Sequence, residues 1–130
     1  MKISQIKETC LYVKDLEATR QFYHGKLGLP MISLVEGRHV FFRAGSSVLL
    51  CFIAAKTEQE KILPPHGASG VIHFAFEVAK ADYAATLSEL QQQHVKIVHE
   101  HEWPNGVRSC YFNDPDGHLV EIVEAGLWDK

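Results

Sequence analysis

Two stretches of the chain alternate apolar and polar residues with the period of a β-strand. In "ETCLYV", Thr9, Leu11 and Val13 share one face, and Glu8, Cys10 and Tyr12 share the other. In "IHFAFEV", Ile72, Phe74, Phe76 and Val78 share one face, while His73, Ala75 and Glu77 share the other. Each stretch runs into a segment with helical spacing, marked first by Leu16, Thr19, Phe22, Tyr23 and Leu27, then by Tyr83, Leu87 and Leu90. Asp15 is placed to cap the first helix and Gly28 to end it. A short turn and a further strand follow each helix. Beyond them, "FFRAGSSVLLCFI" and "YFNDPDGHLVEIV" both read as strand, tight turn, strand.

The chain is therefore written twice. Glu8 lies over His73 at the head of each copy, and with a slightly larger offset Phe42 lies over Phe112 and Cys51 over Glu121. Each copy reads β-α-β-β-β, an α+β pattern of two tandem βαβββ modules within one domain covering residues 1–130. Module one is expected at about residues 5–54 and module two at about 71–124, with a linker at about 55–70. Pro64, Pro65 and two glycines break regular structure in that linker, and "PPHGASG" is expected to be a mobile loop. One such unit cannot cover its own sheet, so two must share a core, within the chain or across a dimer.

Composition narrows the function classes. A net charge of −3 leaves no basic stripe for nucleic acid. "MKISQIKETCLYV" has no apolar run of the kind that exports or anchors a chain, so a cytoplasmic location without membrane contact is expected. Cys10, Cys51 and Cys110 are odd in number and sit in apolar runs, which favours thiols in a reducing compartment. Of the eight histidines, His24, His39, His66, His94, His99 and His101 are expected at the surface or in loops, with no metal-ligand spacing among them.

The repeat singles out four related positions: Glu8 and Cys51 in the first copy, His73 and Glu121 in the second. Glu121 is a carboxylate inside the apolar run "LVEIV". Glu8, His73 and Glu121 are metal-ligand types expected on the faces turned from the helices. Two carboxylates and an imidazole suit Mn²⁺, Fe²⁺, Ni²⁺ or Zn²⁺, and three protein ligands leave positions open for water or substrate. The plainer alternative is a Glu8–His73 ion pair with Glu121 facing solvent at a sheet edge.

"LYVKDLEATRQFYHGKLGLP" and "YFNDPDGHLVEIVE" resemble the vicinal oxygen chelate superfamily, which includes glyoxalase I, extradiol dioxygenases, fosfomycin-resistance enzymes and bleomycin-resistance proteins. The likeness covers roughly residues 5–124. It implies paired βαβββ modules in a cupped mixed sheet, a homodimer, a small-molecule substrate and a divalent metal held by Glu8, His73 and Glu121. Glu8 stands where most members have histidine, and Cys51 where glyoxalases place Glu or Gln, which argues against glyoxalase I itself. Tyr111 falls where the fosfomycin enzymes turn a tyrosine toward phosphonate. Leu119 and Cys10, however, replace a lysine and a threonine of that group, which argues against a fosfomycin substrate.

Arg108 is a candidate for an anionic substrate group, and Trp103 and Trp128 for lining a pocket or a dimer interface. Tyr12 and Glu77 are further candidates on the open faces. The resulting expectation is a metal-dependent lyase or single-domain dioxygenase, with Glu8 or Glu121 as catalytic base. Its rival is a metal-free, ligand-sequestering protein of the bleomycin-resistance type. Retention of Glu8, His73 and Glu121 together favours the enzyme.

Overall fold

The computed structural model describes residues 1–129. The chain divides into two compact units, Met1–Gly70 and a second beginning at Val71. Each is a four-stranded mixed sheet with helices on one face.

In the first unit the strands are β1 (Glu8–Tyr12), β2 (Met31–Val35), β3 (His39–Ala44) and β4 (Ser47–Phe52), in the order β1-β4-β3-β2. β1 runs parallel to β4, and the remaining pairs are antiparallel. Helix α1 (Leu16–Arg20) continues into a π-helical turn, Gln21–Lys26. Asp15 caps it, its Oδ1 accepting the Ala18 amide at 3.0 Å. Gly28 ends it at φ +76°, a conformation costly for a residue with a Cβ. Phe22 and Tyr23 from this segment, with Leu11, Val40, Phe42, Leu49 and Cys51 from the strands, make the buried core. A short helix, α2 (Ala54–Thr57), opens the segment read from sequence as linker.

The second unit repeats the plan with β5 (His73–Val78), β6 (His99–Glu102), β7 (Arg108–Asn113) and β8 (Leu119–Glu124), ordered β5-β8-β7-β6. β5 is parallel to β8. Helix α3 (Tyr83–Gln92) buries Tyr83 and Leu90, and Phe112, Cys110, Val120 and Ile122 complete the core. β6 is the polar sequence "HEHE", which lies beyond the apolar residues that suggested this strand. His99 and His101 are thus exposed strand residues. His39 also departs from expectation, because it is buried in β3 with its ring stacked on Phe41 at 3.8 Å. Burial and then the neighbouring Arg38 charge lower its pKa.

Strand pairing corrects one equivalence. Glu8 pairs with Val48 and His73 with Leu119, while Phe42 pairs with Leu49 and Phe112 with Val120. The partner of Glu121 in the first unit is therefore Leu50, and Cys51 corresponds to Ile122. The "NDPDGH" turn carries one more residue than its counterpart, so a constant offset slips by one across the hairpin. A one-residue slip turns a side chain to the opposite face. Cys51 accordingly faces the helix and is fully buried.

Phe42 and Phe112, fully buried at matching core positions, are expected to contribute alike. Phe42→Ala and Phe112→Ala should each destabilise the protein by about 3–5 kcal/mol in urea unfolding.

Candidate functional site

The face of the second sheet opposite α3 carries His73, Ala75 and Glu77 on β5, and Leu119, Glu121 and Val123 on β8. β7 adds Ser109 and Tyr111 to it, and β6 adds His99 and His101. Two sequence-predicted residues meet there. His73 Nε2 lies 3.1 Å from Glu121 Oε1. The His73 side chain is half exposed, while that of Glu121 is only 7% exposed.

Local structure sets both side chains. Leu119 N donates to Ile72 O at 2.9 Å, and Ile72 N donates to Nδ1 of the buried His118 at 3.1 Å, so β5 enters beside the head of β8. Asp114 Oδ1 accepts the amides of Asp116 and His118, which shapes the turn before β8. His73 Nδ1 then lies 3.0 Å from the Leu119 carbonyl. A carbonyl can only accept, so this contact places a proton on Nδ1 and turns Nε2 toward Glu121. On the other side of the carboxylate, Glu121 Oε2 accepts from the Ser109 hydroxyl at 2.6 Å, and Ser109 Oγ is 2.9 Å from Trp103 Nε1. Ser109 is fully buried.

Tyr111 flanks the pair, its ring 6.0 Å from that of His73 and 5.6 Å from that of His99. Its hydroxyl pKa is raised by burial first, and then by the charge of Glu121 and a hydrogen bond to it. His101 packs edge-on against Trp103 at 4.6 Å. Ser109, His118 and the Leu119 carbonyl were not among the residues singled out from sequence. Ser109 was discoverable, because it lies two residues before Tyr111 in a strand and must share its face.

Arg108 is engaged elsewhere. It opens β7, three residues from Tyr111, and so projects to the helix side of the sheet. Its Nε donates to Glu124 Oε1 at 2.8 Å, its backbone N–H donates to Oε2 at 2.9 Å, and its guanidinium lies 4.6 Å from the Tyr83 ring centre. Glu124 is fully buried. This arginine braces the fold and leaves no fork toward His73 and Glu121. Cys110, on the same side, has its thiol pushed up to about 11, chiefly by burial.

The remaining candidates are placed separately. Glu8 is exposed at the start of β1. Tyr12, on the same face of the first sheet, has its hydroxyl 2.7 Å from His66 Nδ1. His66 in turn packs on Phe52 at 4.6 Å, so the proline-rich segment is held against β4 at this point. Glu77 and Trp128 are exposed. The three cysteines form no disulfide among the described residues.

The geometry tests whether a divalent ion fits. Two ligand atoms bound at about 2.1 Å and at a right angle lie about 3.0 Å apart. The His73–Glu121 separation of 3.1 Å matches that bite. The Nδ1 contact to a carbonyl and the serine on the outer carboxylate oxygen are the supports that metal-binding His and Glu characteristically have. Among the described residues, no group of three His, Cys, Asp or Glu side chains is gathered closely enough to hold a metal. The structure thus supplies two converging donors.

Paired βαβββ sheets with a His–Glu couple on the open face define a class, and sequence comparison agrees. The model of the glyoxalase/bleomycin resistance protein/dioxygenase superfamily matches residues 5–122, and the chain belongs to that superfamily. Among solved structures, it is similar to lactoylglutathione lyase from Agrobacterium tumefaciens, with 36% identity, TM-score 0.93 and full coverage of both chains. Metallothiol transferase FosB from Staphylococcus epidermidis is 29% identical, covering 100% of this chain and 88% of that one. Glutathione transferase FosA from Serratia marcescens is 28% identical, covering 96% and 84%. No helix among the described residues is long and apolar enough to cross a membrane.

The Arg108–Glu124 pair gives a pH prediction. Arg108 holds the Glu124 pKa below the ordinary carboxylate range, so its contribution to stability is complete above that range and lost as pH falls through the lowered value. The stability advantage of wild type over Arg108→Leu should be full at about pH 7 and shrink as pH falls below the ordinary carboxylate range, measured by urea unfolding at a series of pH values.

Proposed function

We propose that the protein is a divalent-metal-dependent enzyme acting on a small oxygenated substrate, with His73 and Glu121 as metal ligands. The observation that carries this reading is the couple itself: Nε2 and Oε1 at 3.1 Å, with the opposite atom of each side chain already engaged. Glu8 is nominated as a further ligand by sequence resemblance. The protein is further proposed to work as a cytoplasmic homodimer.

A bound divalent ion would supply Lewis-acid polarisation of a substrate oxygen and stabilise the negative charge that develops there. The chain's own residues do the rest. His73 presents Nε2 in one tautomer because Nδ1 is committed to Leu119. Tyr111 offers a hydroxyl that stays protonated at neutral pH, since its pKa is raised, and so serves as a hydrogen-bond donor beside the couple. Ala75, paired with Glu121 across β5, keeps that side of the carboxylate open.

The relatives' names narrow the chemistry. Metallothiol transferase, glutathione transferase and lactoylglutathione lyase each name a thiol or a thiol-derived substrate. The finer proposal is therefore a lyase or transferase whose substrate is a thiol adduct, or an electrophile that reacts with a thiol. Epoxides with thiol, hemithioacetals and catechols form the panel that separates transferase, lyase and dioxygenase.

Protein purified without chelator should carry transition metal at near one ion per chain by elemental analysis. His73→Ala and Glu121→Ala should each lose most of it, and Glu8→Gln tests the third ligand alone. Absence of metal from wild type, with no recovery on adding Mn²⁺, Fe²⁺, Ni²⁺ or Zn²⁺, would refute the reading in favour of a metal-free binder.

A further inference from the structure

We infer that Trp103 and Ser109 form a one-way donor relay that fixes Glu121 as a one-oxygen metal ligand and removes it from the role of catalytic base. The inference deepens the metal reading of this site and rests on it.

The direction of the relay follows from the donor inventory. An indole N–H can only donate, so the 2.9 Å contact between Trp103 Nε1 and Ser109 Oγ places the indole proton on a serine lone pair. Ser109 has one proton of its own. It is fully buried, with no solvent to compete for that proton, and Glu121 Oε2 lies 2.6 Å from its oxygen. That distance belongs to a hydroxyl donating to a carboxylate, shorter and stronger than a neutral pair. Indole orients hydroxyl, hydroxyl engages Oε2, the Tyr111 hydroxyl also bonds the carboxylate, and Oε1 faces His73 Nε2.

Two consequences follow. Chelation through both oxygens would put the metal on Oε2 in competition with the buried Ser109 hydrogen bond, so Oε1 is the favoured ligand atom. Rotating away from His73 would also break the buried Ser109 hydrogen bond, a loss buried polar groups resist. Glu121 is then a fixed ligand, and proton abstraction belongs to another group. Trp103 and Ser109 are positioning residues that touch neither substrate nor metal.

The test is a double-mutant cycle read by Mn²⁺ affinity in calorimetric titration. Ser109→Ala should weaken Mn²⁺ binding by about 10- to 100-fold, the usual effect of losing such a support, and Ser109→Thr should restore it. Trp103→Phe, which keeps a ring against His101, should weaken binding in the Ser109 background and change nothing in the Ser109→Ala background. Additive effects, or a Ser109→Ala protein that binds Mn²⁺ like wild type while His73→Ala does not, would overturn the relay and leave the metal reading intact. Should His73→Ala bind Mn²⁺ like wild type, the metal reading fails. The relay is then judged on the metal-free protein, by the ¹H–¹⁵N resonance of the Trp103 indole. That resonance should move in both Ser109→Ala and Glu121→Ala; one that ignores either change overturns the relay.

Discussion

The open face of the second sheet depends on keeping one carboxylate in a central strand. β8 is hydrogen-bonded on both sides, to β5 and β7, and Glu121 is flanked along it by Val120 and Ile122. A buried carboxylate without partners would cost several kcal/mol, and a fold only marginally stable overall could not carry it. The structure resolves this by engaging both oxygens from the same face: Ser109 on β7 takes one, and His73 on β5 approaches the other. The pairing register is what makes this possible. Ser109 and His73 each sit two residues along their strands from the row in which Ala75, Glu121 and Tyr111 lie side by side, and so on the same face.

The two units show how one chassis accepts different faces. Their helix sides match, with Phe42 and Phe112 buried at the same place in each. Their open sides diverge. Where the second unit has His73 and Glu121, the first has Glu8 and Leu50. The rest of the first unit's open face is largely aromatic, with Tyr12, Phe41, Phe52 and His39 in mutual ring contact and His66 packed on it. Core packing constrains the inner face at every position, whereas the outer face is free to change as long as each buried polar group finds a partner.

Much of this was legible in the chain. Strict alternation fixed which residues of β1 and β5 share a face, and the Asp15 cap and Gly28 stop are local chemistry that no tertiary contact overrides. The expectation that His73 and Glu121 share a face came from the internal repeat rather than from alternation within either strand. What alternation does not carry is register across a turn of altered length. One extra residue in "NDPDGH" moved the partner of Glu121 from Cys51 to Leu50, and no composition rule signals that slip. Arg108 shows the same dependence on register: as the first residue of β7 it has to face away from Tyr111, which the residue type alone does not tell.

The supports of the couple were hidden for a different physical reason. Trp103, Ser109 and Glu121 are joined by hydrogen bonds that link β8 to β7 and to the "WPNG" turn before it, so no local periodicity connects them. A serine in a strand is unremarkable until its burial is known, and a tryptophan near a turn suggests a pocket wall before it suggests a donor. Both take their meaning from Glu121. Once that carboxylate is buried, each of its oxygens needs a donor or an ion, and the residues able to supply one become functional by position. The chemistry of this site is therefore organised outward from the charge that the sheet must satisfy. Ser109 takes one oxygen and His73 approaches the other, so the two neighbouring strands share the satisfaction of this one charge.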